Sequence, residues 1–349
     1  MTADERGARL AALWASVDGL LARATLPGIL AHKLGPLAAH RLRKTGEPLP
    51  EALILSERAA SVAMMTVRPL LDRVRSSCDG PLVLIKGAEL ALLYPGQSRR
   101  FGDLDLLVPD AESTQRSLLA SGFVESTAGF DAPAEDHHLT PLQWPSIPLK
   151  IEVHFTQHWP LHAPRPAMEE IIDASVPTAL GIDGLSTPAP HHHALILAAH
   201  GWRHEPLWTL RDLVDIAAVS AYADAEQLRR TSQAWRVDRI WRTTEDAIEA
   251  LFYGGRRTVP LRTWARHLEL VRDRNGFEKQ LTRLLEGYWG MPLQRAPVQM
   301  LRGFRDVVGP IEGESWSDKL VRVPRALRNL RAPVGQRGDP PDRPGRADS

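Results

Sequence analysis

Apolar positions in the first eighty residues recur at helical spacing. Leu10, Leu13, Leu20, Leu21 and Leu26 fall near one face, Gly35-Pro36 and Gly46-Glu47-Pro48 punctuate, and 50–77 forms one long amphipathic run. The pattern changes abruptly at Pro81. Residues 81–86 are a short apolar run bounded by turn residues, as a buried strand requires, and Gly87 follows directly. A helix over 88–94 leads into a Pro/Gly/Ser/Arg loop at 95–102. A second strand, 103–108, stops at Pro109, and after it come a helix at 110–121 and a strand near 123–126. Residues 137–143 and 149–156 read as a hairpin around Trp144-Pro145-Ser146. In its second arm Ile151, Val153 and Phe155 face one way while Lys150, Glu152 and His154 face the other.

From 188 onward the pattern is helical again, over 190–203, 206–222, 224–236 and 238–253, with more helix after Pro260. These shifts divide the chain into a helical N-terminal region (1–80), an α/β core (81–187), a helical C-terminal domain (188–330) and a Pro/Gly-rich tail (331–349) expected to be disordered. No internal repeat is visible.

Composition narrows the class. At 349 residues, 43% hydrophobic and 24% charged, the chain is ordinary for a globular protein, and 43 Lys+Arg against 42 Asp+Glu leave a formal charge of +1. Bulk attraction to nucleic acid is not indicated. The single cysteine, Cys78, rules out an internal disulfide and a cysteine-based zinc site, and points to a reducing, cytoplasmic setting. The N-terminus lacks the layout of a signal peptide, and no apolar run is long enough to span a bilayer.

The chemistry concentrates in Lys86-Gly87, Arg99 to Val108, and Glu152. Side chains alternate along a strand, so Asp103 and Asp105 share one face while Leu104 and Leu106 enter the other. Two carboxylates one strand period apart clamp a divalent cation. Hard oxygen ligands suit Mg²⁺, with Mn²⁺ as the alternative, and such an ion takes its remaining ligands from water and substrate phosphates. A third acid on a neighbouring strand would let two metals be held. Taken alone, an Asp-X-Asp at a strand start is equally a solvated strand end. Gly87 at the strand-to-helix turn lets backbone N–H groups approach a phosphate.

In order along the chain, Lys86-Gly87, Leu93-Tyr94-Pro95, Arg99 four residues before Asp103, Gly102 to Val108, Ile151-Glu152-Val153-His154, His200-Gly201, His204, Trp208 and Leu210-Arg211-Asp212-Leu213 resemble the polymerase-β-like nucleotidyltransferase superfamily. Within it the likeness is to the bacterial, uncharacterised nucleotidyltransferase family. The resemblance implies a small mixed sheet flanked by helices and a Mg-dependent transfer of a nucleoside monophosphate from an NTP, with pyrophosphate release. The acceptor would be a small molecule, or a peptide or protein of a biosynthetic pathway. It makes Asp103 and Asp105 metal ligands, and Glu152 a third ligand or the general base. Gly87-Ala88 stands where the superfamily usually has Gly-Ser, so one hydroxyl contact to the triphosphate is missing; Lys86 or Arg99 would replace it, with His154 also near the nucleotide. Arg99 pairs instead, in the alternative, with Asp103 or Asp105. The rival function is a catalytically inactive binding protein of the same fold.

Other features carry less. His200 and His204 share a helical face, but Gly201 and Trp202 stand where a zinc-protease motif needs its glutamate, so the pair is expected to pack against Trp208 and Asp212 or to close the nucleotide cleft. Tyr94 reads as packing with a satisfied hydroxyl rather than a base-stacking platform. The basic amphipathic stretch 319–331 reads as a solvated terminal helix.

Overall fold

The change of periodicity at Pro81 marks the entry into a mixed sheet in the computed structural model, which describes residues 2–126, 137–160 and 163–289. The basic stretch 319–331 and the tail 331–349 lie outside the described residues. Four helices precede the sheet: α1 (Ala3–Ala22), α2 (Leu26–Ala31), α3 (Gly35–Thr45) and α4 (Glu51–Ser77). A capping box between Thr2 and Glu5 starts α1, satisfying two N-terminal backbone donors, and Gly46 in the left-handed region ends α3.

Strand β1 (Leu82–Leu84), helix α5 (Ala88–Ala91), β2 (Asp103–Leu107), α6 (Ala111–Ala120), β3 (Val124–Glu125), β4 (Leu142–Gln143) and β5 (Lys150–His154) follow. Next come α7 (Met168–Asp173), β6 (Val176–Pro177) and β7 (Leu185–Thr187). The helical remainder is α8 (Pro190–His204), α9 (Leu210–Ser220), α10 (Ala225–Ala234), α11 (Asp238–Phe252), α12 (Val259–Arg262), α13 (Arg266–Leu270) and α14 (Gly276–Trp289). The expected α/β class, strands 81–86 and 103–108, the hairpin and the four C-terminal helical runs are all present. The helix expected over 88–94 is a single turn, continued by turns and a 3₁₀ segment at Pro95–Gln97. Sequence reading missed α7, β6 and β7.

The sheet order is β3-β4-β5-β2-β1-β7-β6. Central β2 runs antiparallel to β1 and parallel to β5, and β1 runs parallel to β7. Leu82, Leu84, Leu104, Leu106, Ile151 and Val153 form one face, buried with Val67, Leu70, Leu71 and Val74 of α4 and Leu118 of α6. Each fully buried leucine contributes about 1.5–3 kcal/mol relative to exposure. On the other face Val83, Ile85 and Leu107 join a second cluster that unites α1–α3 with α8–α13. The N-terminal helices thus split: α4 covers the sheet, while α1–α3 complete the C-terminal helical layer. Phe155, just past the end of β5, is exposed rather than buried with Ile151 and Val153. Among the described residues, no helix is long and apolar enough to cross a membrane.

Candidate active site

Parallel register puts the acids together. Asp105 lies opposite Glu152 and Asp103 opposite Lys150 across the β2–β5 pair. Registered residues of paired strands project from the same face, so Asp103, Asp105 and Glu152 stand on one side of the sheet. They open on a cavity of about 320 Å³ that Lys86 and Gly87 also line. The far wall is helical: Lys33 from the segment after α2, His200 and His204 from α8, and Arg211 from α9. A larger cavity, about 540 Å³, lies around Asp246, Glu249 and Arg256, away from the strand carboxylates.

The acids are crowded. Burial, then the charges of Asp105 and Glu152, push the Asp103 carboxyl above the usual carboxylate range. Burial acts the same way on Asp105, but the Lys86 ammonium and His154 outweigh it and hold Asp105 below that range. His154 Nε2 is 3.0 Å from Asp105 Oδ1 and 3.7 Å from Glu152 Oε2. Burial alone would lower the imidazole; these two carboxylates raise it to about 9. Lys86 Nζ lies 2.7 Å and 2.9 Å from the ring nitrogens of His200. Asp105 Oδ2 is buried with no hydrogen-bond partner.

Gly87 is required by geometry. Its φ of 72° and ψ of −117° suit glycine alone, and a Cβ there would meet the Asp103 carbonyl oxygen at 2.8 Å and Leu104 Cδ2 at 2.7 Å. The turn therefore presses against the start of β2, next to the first aspartate. Arg99 secures it. Its Nη1 points to the Gly87 carbonyl oxygen at 3.4 Å, and Nε and Nη2 donate to Asp215 Oδ1 and Oδ2 at 2.7 Å and 2.8 Å. Arg99 and Asp215 are 5% and 3% exposed, and Tyr94 donates its hydroxyl to the same Asp215 at 2.7 Å. Arg99 thus pairs with neither Asp103 nor Asp105; it lines the cavity while its guanidinium ties the Gly87 turn to α9. Tyr94 is buried against Trp14 with its hydroxyl satisfied, the packing reading made from sequence.

The nucleotide-contact expectations divide. Lys86, Gly87 and Arg99 line the cavity, but Ala88 is fully buried and His154 lies beneath the carboxylates, off the cavity wall. Alternation correctly put His154 on the acidic face; it sits two residues further along β5, opposite Leu107, buried against the rings of His137 and His138 with centroids 5.3 Å and 5.2 Å away. His200 and His204 face the cavity, the second of their two expected placements. Lys33, His137, His138 and Arg211 were not assigned to the site from sequence. Arg211 lay within the quoted Leu-Arg-Asp-Leu motif, and Lys33 carries no local signal except its place before Gly35-Pro36.

Residues 25–252, more than half of the chain, match the family described as uncharacterised nucleotidyltransferase. The chain belongs to this family. Neither a curated protein nor a solved structure matches it. The mixed sheet with flanking helices agrees with a nucleotidyltransferase-type fold.

The donor set of this nucleotidyltransferase-family site fits a divalent cation. Asp105 and Glu152 bring carboxylate oxygens within 4.8 Å of each other, Asp103 adds its charge from the same face, and Asp105 Oδ2 is an orphaned buried anion oxygen. Three clustered carboxyls repel one another, and a cation is what relieves such a cluster.

Proposed function

We propose that this chain is a metal-dependent nucleotidyltransferase that joins a nucleoside monophosphate from an NTP to an acceptor nucleophile and releases pyrophosphate. The register that sets Glu152 beside Asp105, on the same face as Asp103 and against a basic helical wall, carries the reading. Asp103, Asp105 and Glu152 would hold the divalent cation, Mg²⁺ or Mn²⁺. Such an ion neutralises triphosphate charge and supports the departing pyrophosphate.

The protein's own groups do the rest. Lys86, at the exit of β1, places an ammonium beside the carboxylates, where a triphosphate oxygen takes it over from His200. Lys33 and Arg211 meet the phosphates from the opposite wall, so the charge that develops during transfer lies between fixed cations. Gly87 leaves room for a phosphate to approach the backbone, and Arg99 positions that turn through Asp215. His154 orients Asp105 from below. Glu152, partly exposed to the cavity, takes the acceptor's proton where it is not itself a ligand. The acceptor is a hydroxyl, phosphate or carboxylate oxygen of a small molecule, peptide or protein.

Ala88 favours a second reading, nucleotide binding without transfer, because no hydroxyl follows Gly87 and the side chain there is buried. Pyrophosphate release separates the two. With Mg²⁺, each NTP and pools of candidate acceptors, the wild type is expected to release pyrophosphate, and Glu152→Gln to lower the rate about 10²–10³-fold, the loss of several kcal/mol of charge stabilisation. Nucleotide binding with no release from any pool supports the binder.

A further inference from the structure

The histidines on the helical wall are not accounted for by nucleotidyl transfer. His200 and His204 sit one turn apart on α8, and the segment after β5 brings His158 onto them, with ring centroids 5.1 Å and 4.4 Å away. One nitrogen from each of His158, His200 and His204 lies within 4.8 Å of the others. Tetrahedral ligation at ordinary Zn–N bond lengths of 2.0–2.1 Å separates ligand nitrogens by about 3.3 Å, so small side-chain rotations close the set.

The set is also organised in advance. His137 stacks on His158 at 4.0 Å between centroids and 9° between planes, fixing the orientation of that ring. His158 is 8% exposed, and its Nδ1 is buried without a hydrogen-bond partner. Sequence spacing alone showed a pair of histidines and no third ligand; the fold supplies one from 42 residues earlier (His200 minus His158).

We propose that His158, His200 and His204 form a transition-metal site of the zinc class, separate from the carboxylate site. Three imidazoles are a borderline-soft donor set that selects Zn²⁺ over Mg²⁺. Three protein ligands leave a fourth position for water or a substrate group, the pattern of zinc sites that act on ligands rather than hold folds together. His200 and His204 line the same cavity as Asp103, Asp105 and Glu152, so that position opens toward the space an acceptor would enter. The Lys86 ammonium, now on His200, must turn toward Asp105 when the ion binds. Metal and lysine therefore compete, and removal of the lysine charge strengthens metal binding. The site stands on the histidine geometry and does not depend on the transfer reading.

Co²⁺ titration of the metal-stripped full chain, followed by visible d–d absorption, tests this. Wild type is expected to bind one Co²⁺ in a low-coordinate, nitrogen-rich environment and to lose the bands on adding one equivalent of Zn²⁺. His204→Gln, at an exposed side chain, and His158→Gln are each expected to weaken Co²⁺ binding at least about tenfold with the circular dichroism unchanged. Asp103→Asn with Asp105→Asn should keep the bands, and Lys86→Met should tighten binding. Absence of bands in wild type, equal affinity in His204→Gln, or loss of the bands in the double aspartate variant would each overturn the proposal. The last result places the ion on the carboxylates instead and leaves the transfer reading standing.

Discussion

The two walls of the cavity are built on different principles. The strand wall is local: Asp103 and Asp105 sit two residues apart on β2, Glu152 joins them by one register, and the pleat decides which side they face. The helical wall is assembled over long distances. Lys33, His200, Arg211 and the Asp215 that anchors Arg99 come from α2's exit, α8 and α9, and only tertiary packing brings them to the sheet. The strand wall holds the carboxylates, whereas the helical wall brings Lys33, Arg211, His200 and His204 to face them. The joint between them, Arg99–Asp215–Tyr94, is buried, so the relative position of acids and bases depends on one ion-paired network.

Breaking that joint gives the largest expected effect on stability. Asp215→Ala leaves the Arg99 guanidinium buried and uncompensated, which costs about 3–5 kcal/mol. Chemical denaturation should show this as a lowered midpoint with little change in slope. A loss under 1 kcal/mol would mean that the walls are held together by apolar packing alone.

The next effect falls on the strand wall. Gly87→Ala forces a side chain into a glycine-only conformation and against the Asp103 carbonyl oxygen, so a loss of about 1–3 kcal/mol is expected together with weaker NTP binding. Thermal unfolding and calorimetry on the same sample read both. Full stability with unaltered binding would show that the turn is free to adapt.

The smallest effect sharpens the comparison from the helical side. Lys33→Ala or Arg211→Ala each removes one cation from the cavity rim. Each should weaken NTP binding about tenfold, or roughly 1.4 kcal/mol, and the difference from wild type should shrink as salt rises. Fluorescence titration at two ionic strengths measures it, and a salt-independent loss would point to packing rather than charge.

The same division explains what could be read without a structure. Periodicity and alternation act over a few residues, so the strand carrying Asp103 and Asp105, the Gly87 turn and the polar face of β5 were legible. Arg99 shows where that ends. Its nearest acids in sequence are Asp103 and Asp105, yet it pairs with Asp215, which is more than a hundred residues away. His154 faces the predicted side but is closed off by His137 and His138, and alternation along β5 says nothing of that packing. The two-residue β6 and three-residue β7 are too short for alternation to register, and pairing with β1 makes β7 a strand. His158 carries no motif of its own and gains meaning only beside α8.

The central claim is that three acids on adjacent strands present a metal-bound triphosphate. Calorimetric titration of Mg²⁺ and NTP into the wild type and into Asp103→Asn with Asp105→Asn tests it most directly, with circular dichroism to confirm the fold. Saturable, Mg²⁺-dependent binding in the wild type and its loss by at least about a hundredfold, some 2.7 kcal/mol, in the double variant is the expected result. Equal NTP affinity in the two proteins would contradict the claim.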